Sequence, residues 1–130
     1  MLNTAFKLHS QGKLEEAEKI YREILDKEPE NAQVYNLLGL IKLSKKELDD
    51  AEKFILKALS IKKDAYFYEN SARAYEFKKD YETEIKVLEK ACEEVDCGFE
   101  IYFILALAYK NNIEYEKSEK AYLKALKLNP

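Results

Sequence analysis

Apolar residues recur along this chain at helical spacing, as in Val34, Leu37, Leu38 and Ile41, or Ile101, Ile104, Leu105 and Ala108. The pattern predicts eight amphipathic helices, over residues 2–10, 14–28, 32–44, 48–61, 65–77, 81–95, 99–111 and 115–128. The pattern also repeats. Ala17-Glu18-Lys19 aligns with Ala51-Glu52-Lys53, with Glu84-Ile85-Lys86 and with Ser118-Glu119-Lys120, at spacings of 34, 33 and 34 residues. A small residue in the preceding helix keeps the same intervals (Ala5, Gly39, Ala72, Ala106), and so do the closing residues Pro29, Lys63, Asp96 and Pro130. A fixed period of this length is the mark of stacked helix-turn-helix units, each burying an apolar face against its neighbour. A closed helical bundle has no reason to repeat small residues at 5, 39, 72 and 106. The expected fold is therefore an all-α solenoid in one domain, 1–130, with repeats near 1–31, 32–64, 65–98 and 99–130.

Local chemistry agrees with these boundaries. Gly12 can take the left-handed conformation that ends a helix, and the pair Asn111-Asn112 tolerates it better than most residues. Asn31 and Asp64 stand where N-caps belong. Acid-to-base pairs four apart, such as Glu15–Lys19, Glu82–Lys86 and Glu116–Lys120, lace the exposed faces and add a few tenths of a kcal/mol each.

Composition narrows the function. Charged residues make up 36% of the chain with both signs interspersed, and the net charge is only −3. Residues 1–65 carry twelve Lys/Arg against twelve Asp/Glu, and residues 66–130 carry ten against thirteen. No basic face follows, so nucleic acid is not an expected partner. No apolar run approaches a bilayer span, so no membrane partner is expected and a cytoplasmic location is the default. Two cysteines, Cys92 and Cys97, are too few for a disulfide framework and suit a reducing compartment.

The repeated residues resemble the tetratricopeptide repeat (TPR) family of 34-residue helix-turn-helix units. That pattern places an aromatic at position 4, Leu at 7, a small residue at 8 and Tyr at 11; its second helix has Ala at 20, an aromatic at 24, Ala at 27 and Pro at 32. Repeat 2 matches with Tyr35, Leu38, Gly39, Ala51 and Ala58; repeat 4 matches with Tyr102, Leu105, Ala106, Tyr109, Tyr122, Ala125 and Pro130. Repeat 1 keeps Ala5, Gly12, Ala17, Tyr21 and Pro29. Departures are informative. Glu84 stands where Ala belongs, Ile24 holds position 27, and Lys46, Lys79 and Ile113 replace the Gly found at 12. A carboxylate at a close helix contact must reach water or find a partner, and the plain expectation is that Glu84 reaches solvent through a slight helix rotation; the sharper alternative is a functional polar site.

The resemblance implies a right-handed superhelix whose concave groove is lined by the first helix of each repeat. Carried over by position, the groove candidates are Phe6, Asn36, Leu40, Tyr66, Glu69, Arg73, Phe77, Phe103 and Lys110. Aromatic anchors with scattered polar groups suit a peptide or helix of a partner protein. The competing expectation places Phe6, Leu40, Phe103 and Leu107 in the core. The run Tyr66-Phe67-Tyr68 must present aromatics on more than one side of its helix, leaving at least one exposed. The chaperone-tail clamp of some TPR co-chaperones is not expected. One register offers Leu2, Phe6, Leu37, Tyr66 and Asn70, the other Asn36, Leu40, Asn70, Glu100 and Ile104, and neither supplies the cations a carboxylate needs.

Enzymatic chemistry has no support. His9 is the one histidine, and no glycine-rich phosphate loop exists. Cys92 and Cys97 have no further Cys or His with zinc spacing; a disulfide between them is conceivable, with Cys92 otherwise in the core. No catalytic residue, metal site or cofactor is expected. The expected function is a non-catalytic protein-interaction module, with two alternatives: a self-associating scaffold, or the TPR segment of a longer multidomain protein. Helix 115–128 carries Tyr122, Leu123, Leu126 and Leu128, and its apolar face makes the C-terminal repeat the expected route to a homo-oligomer.

Overall fold

A computed structural model describes all residues, Met1–Pro130. It contains eight α-helices: α1 (Leu2–Ser10), α2 (Leu14–Lys27), α3 (Ala32–Ser44), α4 (Leu48–Ile61), α5 (Ala65–Phe77), α6 (Tyr81–Glu94), α7 (Phe99–Asn111) and α8 (Tyr115–Leu128). Every boundary lies within one residue of the periodicity reading. The helices form two compact units, Met1–Lys62 and Lys63–Pro130. In unit 1, α1 packs on α2, α3 on α4, and α2 on α3; in unit 2, α5 packs on α6, α7 on α8, α6 on α7, and α5 also touches α7. No helix is long and apolar enough to cross a membrane.

The first helix of every repeat ends in the same way. Residues 12, 46, 79 and 113 all take positive φ, at 77°, 61°, 59° and 61°. In each case the next amide reaches back to the carbonyl five residues earlier: Lys13 to Leu8, Glu47 to Lys42, Asp80 to Tyr75 and Glu114 to Tyr109, at 2.8–2.9 Å. This is a Schellman closure, and it requires the left-handed conformation whatever residue stands there. Asn111 and Asn112, expected to supply that conformation, do not. Asn112 has φ −92° and Ile113 takes the strained position instead, because the repeat spacing rather than residue preference sets where the turn falls. Asn31 and Asp64 cap α3 and α5 through the amides of Val34 and Tyr66. Asp80 caps α6 through Thr83, accepting from both its amide and its hydroxyl.

Small residues sit where helices approach most closely. Ala5, Ala72 and Ala106 are fully buried, and a Cβ on Gly39 would come within 2.5 Å of Ile55 Cγ1. Across each hairpin the facing position holds Ala17, Ala51, Glu84 and Ser118. Ser118 settles its hydroxyl by donating to the Ala106 carbonyl at 2.8 Å. Glu84 does not reach solvent as the sequence led us to expect. It is 1% exposed, and its Oε1 has no hydrogen-bond partner. The helix is not rotated to release it, because Ile85 and Leu88 beside it are buried as the repeat demands. Burial, reinforced by the charge of Glu76, raises its pKa from the ordinary 4.5 to about 7.

Candidate functional site

The face that could receive a partner is built from the first helices of unit 2. On α5, Tyr66, Glu69, Arg73 and Phe77 fall three, four and four residues apart, which places them on one stripe. Tyr66, Arg73 and Phe77 are exposed and Glu69 is half-buried, while Phe67, Tyr68, Asn70, Ala72 and Ala74 turn inward. The run Tyr66-Phe67-Tyr68 thus divides as a helix must, with one ring out and two in. On α7, Glu100, Phe103, Leu107 and Lys110 form the matching stripe, all exposed, against buried Ile101, Leu105, Ala106 and Ala108. Tyr66, Phe77 and Phe103 are 49%, 41% and 48% exposed, so three aromatic side chains on adjoining helices each leave between two-fifths and one-half of their surface in water.

Electrostatics ties the two stripes together. Burial raises the pKa of Glu69, and the nearby carboxylates of Glu100 and Asp64 raise it further, with Arg73 opposing. Glu69 on α5 therefore senses Glu100 on α7, and Arg73 balances only part of the negative charge between them. A cation brought to this face would be welcomed by Glu69 and Glu100.

The corresponding stripe in unit 1 is closed. Asn36 is 2% exposed, and Phe6 and Leu40 are half-buried, packed against the cluster of Ala5, Ala17, Tyr21, Ile24 and the apolar face of α3. The expectation of a core role thus fits the placement of Phe6 and Leu40, whereas Phe103 and Leu107 lie outside the core. The difference comes from neighbouring side chains, which a residue-by-position transfer cannot see. His9 is satisfied: its Nδ1 lies 3.0 Å from the Tyr21 hydroxyl, the rings meet edge-on, and burial lowers its pKa.

Three features were not singled out from sequence. Tyr109 donates to Glu89 Oε2 at 2.5 Å and Tyr68 donates to Glu94, so two tyrosines anchor the exposed end of α6. Burial, then these hydrogen bonds, raise the pKa of both phenols. A shallow cleft of about 310 Å³ lies over Tyr102, Leu105 and Tyr109, bordered by Lys117, Lys120 and Lys124. Lys117 stands 5.9 Å from the Tyr109 ring centre and Lys124 5.1 Å from that of Tyr102. Finally, Tyr115 at the start of α8 is exposed, beside the Leu123 and Leu126 that the sequence had already marked. Cys92 and Cys97 are free, half-buried thiols; burial first, then the hydrogen bond with Cys92, pushes the Cys97 thiol up to about 12.

Comparison with known proteins agrees with this architecture. Tetratricopeptide repeat family profiles match residues 8–74, and again 65–94 and 99–130. Among solved structures, a crystal structure of MamA superposes with a TM-score of 0.84 at 22% identity, covering 97% of this chain and 74% of that one. A MamA fragment from Desulfovibrio magneticus RS-1 gives 0.83 at 22% identity, covering 98% and 73%. YrrB, described as a TPR protein with an unusual peptide-binding site, gives 0.75 at 21% identity, covering 84% and 57%. At these identities the likeness speaks for the fold alone. No curated protein sequence matches the chain significantly. Eight helices in four hairpins, the small-residue contacts at 5, 39, 72 and 106, and profile matches over most of its length lead to one assignment: this chain belongs to the tetratricopeptide repeat family.

Proposed function

We propose that this protein is a non-catalytic interaction module, and that the α5–α7 face of unit 2 holds a helical or extended segment of a partner protein. The observation that carries this reading is the set of three exposed rings, Tyr66, Phe77 and Phe103, on two adjoining helices that turn Phe67, Tyr68, Ile101, Leu105 and Tyr109 inward. Exposed aromatics desolvate on binding at low entropic cost, and they are the residue types that dominate interface energetics. The description of YrrB as peptide-binding lends the same fold class to this use. The partner segment would bring two or three apolar side chains for the rings and a Lys or Arg for Glu69 and Glu100.

A displayed library of random peptides, selected on the full chain, tests this. Enriched sequences should combine apolar anchors with a basic residue. Their affinity should fall at least about tenfold with a Tyr66→Ala/Phe77→Ala/Phe103→Ala variant of unchanged circular dichroism. Peptides that bind the triple variant as well as the parent chain would place the binding site elsewhere.

A further inference from the structure

The cleft over Tyr102, Leu105 and Tyr109 opens on the opposite side of α7 from Phe103 and Leu107. Its floor is apolar, with Leu105, Tyr109 and Ala121 buried and Tyr102 half-buried. One residue makes room for it. The repeat position held by Ala121 is filled in the other three hairpins by Ile20, Phe54 and Val87, all half-buried. Alanine removes the side chain that occupies this space elsewhere and leaves a hollow of about 310 Å³. A following helix does not cover this side of a hairpin. In repeat 3 the counterparts of Lys120 and Lys124 are Lys86 and Lys90, and both stay exposed although α7 is packed on α6.

The rim carries charge that is only partly answered. Lys117 pairs with Glu114 at 3.3 Å, and Glu89 is occupied in accepting from the Tyr109 hydroxyl. Lys120 and Lys124 make no ion pair. Lys124 is instead held 5.1 Å from the Tyr102 ring centre, at the mouth of the hollow. An ammonium placed over a ring, beside an apolar floor, meets a carboxylate with less competition from water than a free surface lysine does.

We propose that this cleft docks an acidic segment of a partner protein. One aromatic or aliphatic side chain of the segment enters over Leu105 and Ala121, and carboxylates on either side of it pair with Lys120 and Lys124. Charge selects this occupant. The α5–α7 face presents Glu69 and Glu100 and favours the opposite sign, so the two faces of unit 2 discriminate between ligands. The hollow lies at the small end of binding pockets and is shallow, which sets a Kd on the order of 100 μM for a short peptide.

Fluorescence anisotropy on the full chain, at concentrations up to about 1 mM to bracket that Kd, tests the proposal. The probes are dye-labelled peptides of alternating Glu and Phe, of Glu and Ser, and of Lys and Phe. The Glu–Phe peptide should bind the cleft, less tightly as salt rises, and the Glu–Ser peptide should not bind. Lys120→Glu/Lys124→Glu should weaken the Glu–Phe complex at least about tenfold. Ala121→Phe, which introduces the residue that repeat 2 accommodates at Phe54, should weaken it as much with no change of charge. The lysines are exposed, so their variant keeps the parent's circular dichroism and remains decisive even if Ala121→Phe unfolds. The Tyr66→Ala/Phe77→Ala/Phe103→Ala variant should bind the Glu–Phe peptide as the parent does, whatever becomes of the Lys–Phe peptide, which separates this site from the α5–α7 face. Absence of Glu–Phe binding, equal binding of the Glu–Ser peptide, or indifference to the lysine variant or to a folded Ala121→Phe would each overturn the proposal. So would tighter binding of a single-stranded oligonucleotide, or self-association of the chain that the lysine variant abolishes, since a second copy would then fill the cleft.

Discussion

Glu84 offers the sharpest test of how the repeats are packed. Its carboxyl is 1% exposed at the tightest contact of the third hairpin, where the other repeats place Ala17, Ala51 and Ser118. The acid form suits this site and the carboxylate does not, which is why burial and the charge of Glu76 raise the pKa from 4.5 to about 7. The folded value exceeds the unfolded one, so the unfolded chain releases the proton first as pH rises. Stability is unaffected well below pH 4.5, falls as pH climbs through the interval to about 7, and stays reduced above it. A displacement of that size corresponds to about 3 kcal/mol between the two limits. Glu84→Gln keeps the shape and removes the titration. Its neutral amide also lacks a partner for one group, which costs about 1–3 kcal/mol at every pH. The informative quantity is therefore the melting-temperature difference between variant and parent, followed by circular dichroism from about pH 4 to 8 to span the titration. It should rise in the variant's favour by more than about 10 °C across that range, given a responding unit of this size. A difference that stays flat would mean that Glu84 is not a buried titrating acid and that α6 sits differently against α5.

Three further outcomes follow from the turns and close contacts. Ile113 is a β-branched residue at φ 61°, exposed to solvent, so Ile113→Gly should relieve backbone strain at no packing cost and stabilise unit 2 by about 1 kcal/mol in urea unfolding. Gly12→Ala is its converse and should cost about 1 kcal/mol through φ alone, since the new Cβ meets nothing within 4 Å. Gly39→Ala should destabilise unit 1 by about 1–3 kcal/mol despite alanine's helix propensity, because its Cβ would overlap Ile55 Cγ1 in a fully buried site; a neutral or stabilising result would show that α3 and α4 can separate freely.

Much of this protein can be read without coordinates. Helix boundaries, the turn position at Gly12, the caps at Asn31 and Asp64, and the small residues at 5, 39, 72 and 106 all follow from local periodicity and from a spacing repeated four times. Each of these is decided by a residue's own backbone and its neighbours within one or two turns, and repetition averages out single exceptions. Even the departures were visible as departures: Ile113 and Glu84 stand where Gly and Ala belong.

What the sequence could not decide was where each departure goes. Glu84 had two routes, and only the packed helices show that Ile85 and Leu88 hold α6 in place and leave the carboxyl no path to water. The groove candidates divide on the same ground. Asn36 and Phe103 hold equivalent positions on first helices, yet one is 2% exposed and the other 48%. Phe6 and Leu40 pack half-buried against the core of unit 1, while Tyr66, Phe77 and Phe103 remain open on unit 2. Periodicity fixes which side of a helix a residue occupies. Whether that side is covered depends on the volumes of side chains arriving from other helices, and that is a property of the packed structure alone.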